Sequence, residues 1–328
     1  MSVPLPATDP GVRALVCYLC VHQHLPMDQA AQLLADVLGA PLAAVLAEGA
    51  AGLIGFVEVR REQLAAGSVA HFDQTGARVA GRLHWVHSAS TSLLSLFTVH
   101  AKRGKQAMDA AGVLPGFAGV AMHDGWAPYW RYEGITHALC GAHLLRELEG
   151  LVDEPGQGWA AGMAELLVDA KLVAERACAA GAERVDDATR ARLWTRYRRL
   201  LADGQAANPP PRPAGRRHPR QRRSPAARLL ARLDTNRDEV LRLLDDCRVP
   251  FDNNQAERDL RMVKLRQKIS GCWRTLSGAA AFLALRSYIS TARKQAMNPL
   301  TVLHQLFQGQ PGCPPQQALN SYPPAWSC

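Results

Sequence analysis

Between Ser68 and Gly141 the chain changes its rhythm, and no other stretch limits the fold as much. Short apolar runs rich in Val, Phe, Trp and Leu replace the long apolar segments found on either side, which is the signature of strands. The predicted strands are Ser68–Phe72, Arg82–Ser88, Leu93–Val99, Gly119–His123 and Ile135–Cys140, with a helix at Lys105–Ala111 between the third and fourth. Helices are expected before them at Val12–Leu25, Met27–Leu38 and after Pro41. More are expected beyond them at Trp159–Ala179, Ala188–Leu201 and Pro225–Cys247. A block of strands enclosed by helices predicts an α/β fold built on one sheet.

Three acidic residues stand where such a fold can use them. Asp73 (HFDQTG) and Asp124 (AMHDGW) each close a predicted strand, and Glu257 (DNNQAERDLR) opens a helix crowded with Arg and Lys. Three carboxylates suit two divalent cations acting on a phosphodiester, where the metals stabilise the attacking and leaving oxygens of an in-line displacement. Each acid also has a plainer reading. Asp73 and Asp124 precede turn-forming residues, and Asn254-x-x-Glu257 fits a capping box. An aspartic protease needs a contiguous Asp-Thr-Gly, which Gln74 interrupts. On a helical wheel Arg261, Lys264 and Lys268 fall beside Glu257, whereas Ala256, Leu260 and Val263 form a separate apolar stripe. A capping glutamate does not require that basic ridge, and the arrangement suits a metal ligand flanked by phosphate contacts.

The run from Asp73 through Cys140-Gly-Ala-His143 to Asp252–Arg258 and GCWRTLSGAAA resembles the transposases of the insertion sequence 66 family, of the DDE superfamily. The likeness spans roughly residues 15–305 and is most specific at Asp252–Arg258. It implies a ribonuclease H-like core, a mixed five-stranded sheet interrupted by a helical insertion and preceded by a helical segment. The expected division is 1–67 for that segment, 68–150 and 248–309 for the core, 151–247 for the insertion, with a Pro- and Arg-rich linker near 204–225. A disordered tail is expected over 310–328. The implied activity is metal-dependent DNA cleavage and strand transfer, with Asp73, Asp124 and Glu257 binding two Mg²⁺ or Mn²⁺ ions. Other ribonuclease H-like nucleases or integrases, and a decayed transposase that only binds DNA, are the alternatives. Family members usually carry an acid where this chain has Gln74. They also carry a cysteine-rich finger and coiled coil ahead of the matched region. The expectation is either a truncated copy or end recognition that depends on accessory proteins of the same element.

Expected partners are double-stranded DNA, as transposon ends and target, and further copies of the chain on that DNA. A formal net charge of +9 suits a polyanion. Arg258, Arg261, Lys264 and Lys268 are the candidate phosphate contacts on the Glu257 helix, joined by Arg216, Arg217, Arg220, Arg222 and Arg223 of the linker. Trp273, in a polar loop, is a candidate base-stacking residue, with a core lid as its plainer role. Cys140 and His143, with Asn253 and Asn254, are expected to border or support the site, since two ligands fall short of a closed zinc site. Cys17 and Cys20 sit three apart in an apolar helix, which turns both thiols to the core. In Met27–Ala50 a helix-turn-helix spacing appears, yet its second helix lacks residues that read bases, so packing is the expectation. No run reaches about 18 apolar residues, so no membrane span is expected. The expected location is the cytoplasm, on the nucleoid when DNA is bound.

Overall fold

A computed structural model describes residues 9–38, 43–209 and 223–312. The linker arginines Arg216, Arg217, Arg220 and Arg222, and the tail beyond 312, lie outside the described residues. Four helices come first: α1 (Pro10–Cys17), α2 (Met27–Leu38), α3 (Ala43–Ala51) and α4 (Ile54–Ala65). Asp9 caps α1 by accepting from the Gly11 and Val12 amides, which satisfies free N–H groups of the first turn. The α1 segment continues as a π-helical turn over Tyr18–His22. Cys17 and Cys20 are buried in the apolar core there, and burial pushes the Cys20 thiol up to about 11. These are packing residues, as the spacing predicts. α3 packs against a later helix of the same unit, in keeping with packing for the second helix of the N-terminal pair.

The sheet consists of β1 (Val69–Val79), β2 (Arg82–Ser90), β3 (Ser95–His100), β4 (Val120–His123) and β5 (Thr136–Leu139), in the order β3-β2-β1-β4-β5. β1 with β2, and β2 with β3, are antiparallel. β4 and β5 run the same way, since Thr136 N–H donates to the Gly119 carbonyl and Cys140 N–H to that of His123. The sheet is therefore mixed and the fold α/β. α5 (Lys105–Ala111) falls between β3 and β4 where the sequence places a helix.

Two expectations need correcting. β1 does not end at Phe72: it runs seven residues further, to Val79, so Asp73 lies inside the strand opposite Ser88 of β2. The Asp-x-Thr-Gly signal for a turn loses to an unbroken ladder with β2. The actual turn is Ala80-Gly81, between the paired Val79 and Arg82, with φ of 49° and 75°. Positive φ at both positions makes it a two-residue hairpin whose twist suits the strands. The second correction concerns Pro225–Cys247. It forms α9 (Pro225–Thr235), the short α10 (Arg237–Val240) and a 3₁₀ turn at Arg242–Leu244, broken at Asn236, whose backbone leaves the helical region.

The chain divides into two compact units. Among the described residues, the first holds those within 9–121, 126–136 and 254–312, and the second those within 122–125 and 137–253. In the second, α6 (Gly141–Val152), α7 (Gly158–Ala179) and α8 (Asp187–Ala207) pack in sequence with α9 and α10. α8 runs six residues past its expected end at Leu201, into the predicted linker. The first unit closes with α11 (Asn254–Ser270), α12 (Leu276–Lys294) and α13 (Pro299–Phe307). α12 buries Phe282, Leu283, Leu285, Tyr288 and Ile289 and packs on β3. Among the described residues no helix is long and apolar enough to cross a membrane.

Candidate nucleic-acid and metal site

In the first unit, Asp73 is half-buried on β1, and its Oδ1 accepts from the Gln74 amide at 2.7 Å. Gln74 is buried and its Oε1 accepts from the Tyr129 hydroxyl at 2.9 Å. Gln74 therefore serves packing. A cavity of about 20 Å³ borders Asp73, with Phe72, His87, Leu96 and Met108 among its walls. That space holds about one water, too little for an ion such as Mg²⁺ that keeps several. Burial pushes His87, on one side of it, down to about 4, so the imidazole is neutral near pH 7.

α11 packs along β1 and β2. Ala256, Leu260 and Val263 are buried, and Arg258, Arg261, Lys264 and Lys268 are exposed, as the wheel predicts. Because the helix starts at Asn254, the residue before it is Asn253. A capping box would then place its acid at Ala256, so Glu257 falls one residue outside that motif. Glu257 is half-buried in the first turn.

Two features fix the helix on the sheet. Lys264 Nζ donates to the Gly76 carbonyl of β1 at 2.9 Å. One turn nearer the start, Asp259 Oδ2 accepts from Lys294 Nζ at 2.8 Å, Ser95 Oγ at 3.1 Å and Gln255 Nε2 at 3.3 Å. Lys294 also donates to the carbonyls of Thr91 and Leu94. Both side chains of this pair are only 11% exposed, and burial pulls Lys294 below its ordinary value. Asp259 carries no distinguishing signal in the sequence, being one more acid in DNNQAERDLR.

The stacking role expected of Trp273 does not fit its position. It is 4% exposed, packs edge-on to Phe282 and lies under the Arg266 guanidinium. Its backbone exchanges hydrogen bonds with Arg78 and Ala80 at the end of β1. Trp273 is thus the core lid, and it extends the α11 loop along the same strand that bears Asp73.

In the second unit, Asp124 is half-buried and directly follows β4. His123 is buried, with its Nδ1 accepting from the Gly125 amide at 2.9 Å and its Nε2 2.9 Å from Nδ1 of His137 on β5. Burial holds His123 well below its ordinary value. Cys140 is buried at the start of α6, and its Sγ accepts from the buried Asn253 amide at 3.1 Å. His143, in the first turn of α6, is half-buried. Cys140 and Asn253 are thereby tied to each other within this unit. Asn254 is half-buried at the first position of α11. All six cysteines among the described residues are free thiols.

α8 also presents a basic surface, to which the sequence expectations give no role. Arg192, Thr195, Arg196 and Arg199 line one open groove, and Trp194, Arg198 and Arg237 line another. Arg190 and Arg196 are spent on acids, but among the described residues Arg192 and Arg199 meet no carboxylate. The signal was present: five arginines fall between Arg190 and Arg199, with Leu193, Tyr197 and Leu200 marking the buried side. Arg223, beside the linker, is exposed.

Residues 7–281 match the family model described as the transposase IS66 family. No curated protein and no solved structure matches the chain.

Proposed function

The chain belongs to the IS66 transposase family, and from that premise we propose that it is a DDE transposase cleaving and joining DNA strands. Membership of the family points to DNA as its partner and to a part in transposition. The ribonuclease H-like reading of the core is supported by the strand order β3-β2-β1-β4-β5 with α5 before β4. Asp73, Asp124 and Glu257 are the proposed ligands of two Mg²⁺ or Mn²⁺ ions. Their oxygens are hard donors that suit these cations, and each carboxylate is partly exposed rather than sealed in the core. When bound, the ions would supply charge stabilisation to the attacking and leaving oxygens.

The observation that carries this reading is the seating of α11. Its Glu257 stands beside an exposed basic ridge while the helix packs on β1, the strand that bears Asp73. Strand order adds support for the other aspartate. Val120 N–H donates to the Ser68 carbonyl where β4 and β1 begin. Asp73 and Asp124 follow five and four residues further along.

In this reading the residues divide the work. The three carboxylates hold the ions. Arg258, Arg261 and Lys268 neutralise phosphates, with Arg192 and Arg199 of α8 as a second contact and the linker arginines as a third. Hydrolysis at a transposon end frees a 3′-hydroxyl, which then attacks target DNA. No covalent enzyme intermediate is needed. Further copies of the chain on DNA, and accessory proteins of the same element, complete the proposed assembly.

The test is cleavage of a supercoiled plasmid bearing the element's ends by the full chain. Mg²⁺ or Mn²⁺ should support nicking, EDTA should stop it, and Asp73→Asn, Asp124→Asn and Glu257→Gln should each abolish it while DNA is still bound. Activity in EDTA, or in any of the three variants, rules the mechanism out. Strand joining separates a transposase from a nuclease, and metal-independent binding without cleavage marks a decayed copy.

A further inference from the structure

His123 and His137 take no part in the scheme above, yet their hydrogen bonds bracket one of its carboxylates. The Gly125 amide donates to Nδ1 of His123, so that nitrogen carries no proton. A neutral imidazole then keeps its proton on Nε2 and donates it to Nδ1 of His137. His137 must in turn carry its own proton on Nε2. One backbone amide thus fixes the tautomers of two buried rings, which meet nearly edge to face at 81°.

The first of these bonds spans Asp124. It joins the ring of the residue before to the amide of the residue after. Gly125 sits at φ 82°, and a Cβ there would come within 3.1 Å of Leu139 Cδ2, so this position favours glycine. His137 braces the His123 ring from β5, and the His137 carbonyl accepts from Arg242 Nε at 3.4 Å. A purely apolar pair could fill the same space, but it would leave the Gly125 amide without this acceptor and the turn without its clamp.

We propose that His123 and His137 form a positioning pair whose locked tautomers aim the Asp124 carboxylate at a divalent cation, an inference that rests on the metal-carboxylate reading above. Neither ring touches DNA or an ion in this scheme. Their contribution is the fixed direction of a carboxylate that projects from a turn instead of a strand.

The experiment uses the full chain and Mn²⁺ as probe, with affinity read by electron paramagnetic resonance and folding by thermal melting. His123→Leu and His137→Leu remove the acceptors, whereas His123→Asn and His137→Asn keep an oxygen near each Nδ1. The Leu variants should bind Mn²⁺ about tenfold more weakly, the low end for losing an outer partner of a metal ligand. The Asn variants should return close to wild-type affinity. Equal affinity of the Leu and Asn variants at either position overturns the proposal. Asp124→Asn separates the two levels. If it binds Mn²⁺ like wild type, the metal-carboxylate reading fails and the pair's role with it; if it weakens binding and the Leu variants do not, the pair's role alone fails. Ring ¹⁵N spectra of the wild-type chain give a check independent of whether any variant folds: both rings should be Nε2–H, and Nδ1–H on His123 overturns the proposal.

Discussion

Asp73 and Asp124 follow similar apolar runs, and the protein holds them by different means. Asp73 sits five residues into an eleven-residue strand, where the ladder to β2 fixes its backbone and α11 packs alongside. Asp124 stands just past a four-residue strand, in a turn held by a histidine side chain. Backbone regularity is cooperative and tolerates single side-chain changes, because each ladder bond is supported by its neighbours. A turn clamped by one imidazole concentrates the same task in very few groups. The β1 region should therefore fail through its packing and buried charges, and the β4–β5 region through single hydrogen bonds.

The largest effect expected on the β1 side comes from the buried pair under α11. Asp259→Ala leaves the Lys294 ammonium buried without its carboxylate, and Lys294→Met strands Asp259 in the same way. Removing one partner of a buried ion pair costs about 3–5 kcal/mol. Either variant should lower the thermal midpoint sharply, whereas Arg261→Ser on the exposed ridge of the same helix should leave it nearly unchanged. If Asp259→Ala melts like Arg261→Ser, the helix is seated by its apolar stripe and Lys264 without help from the buried pair. The comparison would then lose its first half.

A smaller effect follows from His87, beside Asp73. Its folded value lies near 4, against 6.5 when unfolded. Above about pH 6.5 both states are neutral and the folded state has its full stability. As pH falls from about 6.5 to 4 the unfolded chain takes up a proton that the folded chain refuses, so stability declines by up to about 3 kcal/mol. His22 and His24, both pushed down to about 4 chiefly by burial, act in the same window. His87→Leu should therefore lose less stability than wild type between pH 7 and 4.5 in denaturant titrations. Identical losses would show that His87 is not what makes this region acid-sensitive.

How much of this was legible depended on whether the signal was local. The five strand runs, α5 and the stripe of Ala256, Leu260 and Val263 could be read because periodicity within about ten residues specifies them. The length of β1 could not, since Asp-x-Thr-Gly favours a turn locally and only pairing with β2 overrides it. Trp273 looked exposed in a polar loop, and its burial depends on Phe282 and Arg266, neither adjacent in sequence. His123 and His137 lie 14 residues apart, and nothing in either local context marks them as partners. The carboxylates themselves were legible as candidates through their flanking residues. The devices that hold them, Asp259–Lys294 and the histidine pair, are tertiary and were not.

The smallest effect sharpens the account of β1 itself. Its ladder is closed by Ala80-Gly81, and Ala80 adopts φ 49°. A left-handed conformation costs an L-residue with a Cβ roughly 1–2 kcal/mol, and glycine escapes that cost. Ala80→Gly gives some of this back through the greater freedom of the unfolded chain, so the net gain should be about 0.5–1 kcal/mol. Ala80→Asn, a residue that tolerates this region and suits the first position of such a hairpin, should gain a similar amount with less entropy to lose. Ala80→Val should do the reverse, because a β-branched residue is strained at positive φ. Since Val79 and Arg82 remain paired in each case, the three variants should rank by melting temperature as Asn and Gly above wild type and Val below it. A different ranking would mean that the turn is not what fixes the end of β1. The strand's reach past Asp73 would then rest on Trp273 and the α11 loop instead.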